Sequence, residues 1–169
     1  MSEEITLVTK DGEHVKTKPE FANLSGLIKN VLDDSGPNEE IPLDIVTKPM
    51  LEKILEYAIH HEFQSGASPK KPIPSNEIAD AVEDSWDAEF IKSMSQDEVI
   101  NLILACNYLD IKSLLELGLA FIACNFKGKS VEQIASEYGI EQDFTPEVEE
   151  ELKKEFPWAL EGGEERLTR

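Results

Sequence analysis

Residues 95–126 read SQDEVINLILACNYLDIKSLLELGLAFIACNF, and two helices in series account for them. Ser95 and Glu98 stand at the spacing of a capping box, in which each side chain satisfies an amide the other end of the first turn leaves free. The run Val99-Ile100-Asn101-Leu102-Ile103-Leu104-Ala105-Cys106 is apolar almost all round, which predicts a helix at the centre of a core. Ile111 to Phe126 forms the next helix, and Lys127-Gly128-Lys129 stops it with a glycine and basic charge. A chain that commits this much apolar surface to consecutive helices builds its core there.

Upstream the pattern changes. Ile5, Leu7 and Val8 lie in a β-rich run, Asp11-Gly12 supplies a turn, and His14-Val15-Lys16-Thr17 returns as the second arm of a hairpin. Two short helical stretches follow. In the second, Leu24 to Leu32, apolar residues fall on one stripe, and Asp33 to Pro37 ends it. Ile41-Pro42-Leu43 is a short extended piece whose proline belongs at a sheet edge. Thr47 to His61 predicts an amphipathic helix, with Thr47 as its cap and Pro49 in its first turn. From Gln64 to Asp84 the periodicity dissolves, and Pro69, Pro72 and Pro74 mark a mobile loop over residues 64–84. The fold class is therefore α+β, with a small sheet in front of a helical core.

Downstream, Ser130 and Gln133 repeat the capping-box spacing, and Tyr138-Gly139 closes that helix. Thr145 and Pro146 open another. Val131, Ile134, Ala135 and Tyr138 make one apolar stripe; Val148, Leu152, Phe156 and Trp158 make a second on an acidic background. Neither helix carries enough apolar area for a core of its own, so each stripe covers the main domain or a partner. The expected organisation is a domain over residues 1–126, helices over 127–160 and a disordered tail over 161–169.

Charge narrows the function. Sixteen Lys plus Arg face thirty-five Asp plus Glu in 169 residues, a net charge of -19. That field repels phosphates and anionic lipid, so neither nucleic acid nor a membrane surface is the expected partner. No run of apolar residues is long enough to predict a membrane-spanning helix, and MSEEITLVTK has no apolar signal region. Cys106 and Cys124, both inside apolar helices, predict reduced, buried thiols and a cytoplasmic or nuclear location.

Candidates for chemistry are few. A catalytic thiol needs a base beside it, and a desolvated thiol stays protonated. His60-His61 closes an amphipathic helix, where positive charge suits the dipole. Neighbours on a helix diverge by about 100°, so the pair is not expected to chelate one ion. The acids Glu149 and Glu150 have Lys153 and Lys154 four residues on, the pattern of a solvated helix face. No catalytic residue, metal site or cofactor is expected.

The stretches SWDAEFIK (85–92), LILACNYLDIKSLLELG (102–118), FKGKS (126–130) and QDFTPEVEEELKKEFPWA (142–159) resemble the S-phase kinase-associated (Skp) adaptors of SCF ubiquitin ligases. The DGE turn at 11–13, IPL at 41–43 and the His60-His61 ending agree, so the likeness runs from about residue 5 to 160 in order. The resemblance implies a BTB/POZ fold, a three-stranded sheet with helices, followed by C-terminal helices. It also implies a non-catalytic adaptor that joins F-box proteins to a cullin for ubiquitin-dependent degradation. The family's cullin-contacting pair falls on Asn107 and Tyr108, although Tyr108 also reads as a core aromatic. Its F-box surface falls on Leu115, Leu119, Ile122, Phe126, Ile134, Ile140, Val148 and Trp158. Free members of the family self-associate through the BTB surface, and in some relatives a proline at the position of Pro146 is hydroxylated. A Phe at 126 and the basic 64–84 loop depart from the family pattern. The alternatives are an Elongin C-like BTB adaptor, which ends before the last helices, and a Skp-type subunit of a non-ligase complex.

Overall fold

The computed structural model describes residues 4–36 and 40–140, together with 150, 154 and 155. The helix opened by Thr145 and Pro146, and the tail over 161–169, lie outside the described residues. The chain divides into two compact units, Met1–Cys124 and Asn125–Arg169.

In the first unit the hairpin forms where its turn signal places it. Strand β1 (Ile5–Thr9) pairs antiparallel with β2 (His14–Thr17), with Leu7 opposite Val15. Strand β3 (Glu40–Leu43) joins the other side of β1 in parallel, with Leu7 opposite Ile41. The order β2-β1-β3 leaves Pro42 on an edge strand, the place where a missing amide costs no ladder bond. Ile5, Leu7 and Thr9 alternate into the core from β1, and Ile41 and Leu43 do so from β3.

Six α-helices share one hydrophobic core with this sheet. They are α1 (Gly26–Ser35), α2 (Lys48–His60), α3 (Ile78–Ala81), α4 (Ser85–Lys92), α5 (Gln96–Leu109) and α6 (Lys112–Phe126). The Ser95–Glu98 capping box is present in full, with Ser95 N–H donating to Glu98 Oε2 at 2.7 Å and Glu98 N–H to Ser95 Oγ at 3.3 Å. Thr47 sits at the N-cap of α2, but its hydroxyl makes no cap bond. Asp11, from the hairpin turn, takes that role instead: its two carboxylate oxygens lie 3.1 and 3.3 Å from Lys48 N–H. A carboxylate at a helix N-terminus meets both the free amide and the dipole, which a hydroxyl answers more weakly.

Two further expectations need correcting. The segment over 64–84 is no bare linker, because it contains α3 and returns Ile78 and Ala81 to the core. Lys70 N–H donates to Ala81 O at 2.7 Å across it, and Lys71 pairs with Glu116 of α6 at 2.9 Å. Helix α5 is not buried all round either. Val99, Leu102, Cys106 and Leu109 face inward, while Ile100 is 37% and Leu104 57% exposed. Within this domain the sheet and the other helices cover only one side of α5.

The start of α1 is welded to the end of α5. Ser25 is fully buried, its Oγ donates to Leu109 O at 2.6 Å and accepts from Ile28 N–H at 3.2 Å. Gly26 N–H reaches Asp110 O at 3.2 Å. A Cβ at Gly26 would run into the Asp110 carboxylate, which would have to move aside. Ser25→Ala removes a cap and orphans a buried carbonyl, and we expect it to lower stability by about 2 kcal/mol. Urea denaturation measures this; a loss below about 0.5 kcal/mol would mean that the weld contributes little.

The second unit holds α7 (Val131–Glu137), opened by the expected Ser130–Gln133 capping box. Gly139, at φ +62°, turns the chain so that Ile140 N–H closes on Ala135 O at 2.8 Å. Lys129 and Glu137 form an ion pair beside it. No helix among the described residues is long and apolar enough to cross a membrane.

Candidate functional site

The exposed side of α5 is the floor of a groove in the first unit. Leu104, Asn107 and Tyr108 line it together with Ile45, Met50 and Lys10, around a cavity of about 640 Å³. A second groove of about 460 Å³ shares Thr47, Met50 and Asn101 with the first and continues along α2 past Lys53 and Glu56 to Met94. Leu104 and Tyr108 are one helical turn apart, and so are Ile100 and Leu104, which is why one face presents them all. Asn107 is exposed and Tyr108 half-buried, its ring packed against the core at one side and open to the groove at the other. The two readings of Tyr108, core aromatic and surface residue, both describe part of it.

Sequence periodicity missed most of this groove. Ile45, 51% exposed, comes from the segment after β3, and Met50 from α2. Their meeting with α5 is a product of the fold. The signal available was the pair of asparagines, Asn101 and Asn107, which interrupt an otherwise apolar helix on the side that stays open.

On α6, Leu115 and Ile122 are half-buried against the core and Leu119 is 50% exposed. These three recur at helical spacing and form an apolar stripe that the first unit leaves partly open. In the second unit Phe126 meets Tyr138 edge-on, with ring centroids 5.0 Å apart. Ile134 is half-buried there and Ile140 is 59% exposed. Val148, Trp158 and Pro146 lie outside the described residues.

The two cysteines are buried. Burial pushes the Cys106 thiol up to about 12, so it stays protonated at neutral pH and is a poor nucleophile. The histidine pair departs from expectation. Helix α2 ends at His60 and His61 is its C-cap, and the two rings meet edge-on with centroids 4.9 Å apart. His60 Nε2 lies 2.9 Å from Asp84 Oδ2 and stacks on Trp86 at 3.9 Å. His61 Nε2–H donates to the buried carboxylate of Asp87 at 2.7 Å. The bond from the His60 ring, followed by Trp86 N–H, holds the Asp84 carboxyl below the usual range. A lowered carboxyl favours the fold above its unfolded value, and that support is lost as pH falls through the folded one.

A POZ-type α+β domain with an open α5 groove, followed by a helical extension, is the class that these features define. Residues 3–63 match the Skp1 family, tetramerisation domain, and residues 112–159 match the Skp1 family, dimerisation domain. The chain belongs to the Skp1 family. It is 38% identical over 160 residues to an S-phase kinase-associated protein 1 homolog of Tetrahymena thermophila, covering 95% of this chain and 96% of that one. It is 38% identical over 158 residues to the E3 ubiquitin ligase complex SCF subunit sconC of Arthroderma benhamiae, covering 93% and 95%. The corresponding subunit of Aspergillus clavatus is 37% identical over 162 residues, covering 95% of this chain and all of its own. The match to the C-terminal family domain favours the Skp reading over an Elongin C-like one.

Proposed function

We propose that this chain is the non-catalytic adaptor of an SCF-type ubiquitin ligase. Its α5 groove, with Asn107 and Tyr108, takes a cullin. The α6 stripe of Leu115, Leu119 and Ile122, with Phe126, Ile134, Ile140, Val148 and Trp158 of the second unit, takes an F-box protein. The observation that carries the reading is the end-to-end likeness to proteins named as SCF subunits. The geometry supports it: a surface that leaves Leu104, Ile45 and Leu119 half exposed or more offers apolar area that association can bury. Reduced, buried thiols suit work in the cytoplasm and nucleus, and self-association of the free protein belongs to the same reading.

A reconstituted ligase tests the proposal. With cullin, F-box protein and charging enzymes supplied, ubiquitin transfer to an F-box-bound substrate should require this chain. A folded Cys106→Ala, Cys124→Ala variant should restore transfer as fully as the unaltered protein. Transfer lost in the variant despite intact partner binding would contradict a purely scaffolding role.

A further inference from the structure

The end of α2 and the start of α4 bring together side chains for which the adaptor role has no use. His60, His61 and Asp84 each offer one donor atom, and the three donors lie within 4.8 Å of one another. We propose that they form a binding site for a borderline divalent transition-metal ion such as Zn²⁺.

Helix α2 ends at His60, and His61 is its C-cap. His61 leaves the helix at φ −86°, ψ 16°, and Glu62 and Phe63 follow with positive φ. The two ring centroids lie 4.9 Å apart with planes 89° apart, as side-chain rotation turns each ring to its own carboxylate. Non-glycine residues pay for positive φ, so the turn after His61 is imposed by the surrounding structure. Phe63 N–H bonds Ala58 O at 2.7 Å and its ring is buried, which fixes the turn.

Each ring is then held from a second side. Trp86 stacks on His60 with planes 9° apart, and Asp87, itself buried, accepts from His61. A carboxylate behind a metal-binding imidazole fixes the ring and raises its basicity. Asp84 is held in place by Trp86 N–H at 2.9 Å. His60 Nε2 and Asp84 Oδ2, 2.9 Å apart, subtend about 90° at an ion roughly 2.05 Å from each. The ion replaces the proton between them, and that proton leaves to solvent as the metal binds.

Access and selectivity fit as well. The side chains of His60 and Asp84 are 32% and 41% exposed, so an ion reaches them without unfolding. Two imidazoles and one carboxylate suit zinc, copper or nickel better than magnesium or calcium, which prefer all-oxygen sites. Three protein donors leave room for water or for a ligand from a partner. A bound ion would clamp both ends of the 64–84 segment, since His61 precedes it and Asp84 closes it.

Calorimetric titration of the full chain with Zn²⁺, in excess Mg²⁺ to occupy the many exposed carboxylates, tests the site. One site of micromolar affinity is expected. His60→Gln keeps an amide for Asp84 but removes the imidazole, and Asp84→Asn keeps the α4 cap; each should weaken Zn²⁺ binding by at least about tenfold with an unchanged circular dichroism spectrum. In a Trp158→Phe background, Ni²⁺ should quench Trp86 fluorescence, and His60→Gln should abolish the quenching. Equal Zn²⁺ affinity in wild type and both variants, or no binding under excess Mg²⁺, would overturn the proposal and leave the histidines as hydrogen-bonded pins.

Discussion

Cutting the chain after Lys129 is expected to abolish F-box binding and to leave cullin binding at the affinity of the full chain. The cut removes α7 with Ile134 and Tyr138, and all the sequence that carries Ile140, Val148 and Trp158. What stays is the first unit, which contains the whole core built on β1, α2 and α5 and both lobes of the groove. Leu115, Leu119 and Ile122 remain too, but a stripe of three half-open side chains is small against the roughly 800 Å² per partner of a stable interface. Trp158→Ala is the milder form of the same experiment. Truncating a buried tryptophan anchor typically costs about 2–4 kcal/mol, so F-box affinity should fall roughly thirtyfold or more at about 1.4 kcal/mol per tenfold. Calorimetry with a purified F-box protein measures both. Native affinity in the folded truncation would move the F-box surface elsewhere on the chain.

The second large effect belongs to the groove. Asn107→Lys with Tyr108→Lys should reduce cullin affinity by about a hundredfold or more, because an unpaired charge buried at an interface costs several kcal/mol. Asn107 is exposed, so its change leaves the fold alone. Tyr108 is half-buried with one edge at the groove, where a lysine stem can follow the same path and place its head in water. In the free protein the double variant is therefore tolerated, and the cost appears on binding. Undiminished cullin affinity would remove the assignment, and an equal loss of F-box binding would trace the effect to the fold.

What could be read from residues alone follows the range of the interactions involved. The hairpin, the edge proline and both capping boxes are local, set by residues within a few positions of each other, and the structure has them where the sequence puts them. Thr47 misleads because its competitor, Asp11, comes from a turn that only the folded sheet brings to α2. Apolar periodicity places α5 in the core yet cannot say how many of its sides are covered, so Ile100 and Leu104 emerge on the surface. The histidine pair shows the same limit. A divergence of about 100° describes the Cβ directions, but side-chain rotation brings the two rings to 4.9 Å, each toward its own carboxylate. Asn107 and Tyr108, by contrast, came from the family likeness, and the groove now gives them neighbours that the likeness did not name, Ile45 and Met50 among them.

The adaptor account turns on bridging. Sedimentation velocity on a purified F-box protein and the N-terminal helical region of a cullin, with and without this chain, measures it directly. The account predicts no association of the two without the chain, and a single species containing one copy of each when it is added. Two binary complexes that never combine, or a cullin and F-box protein that associate unaided, would contradict it.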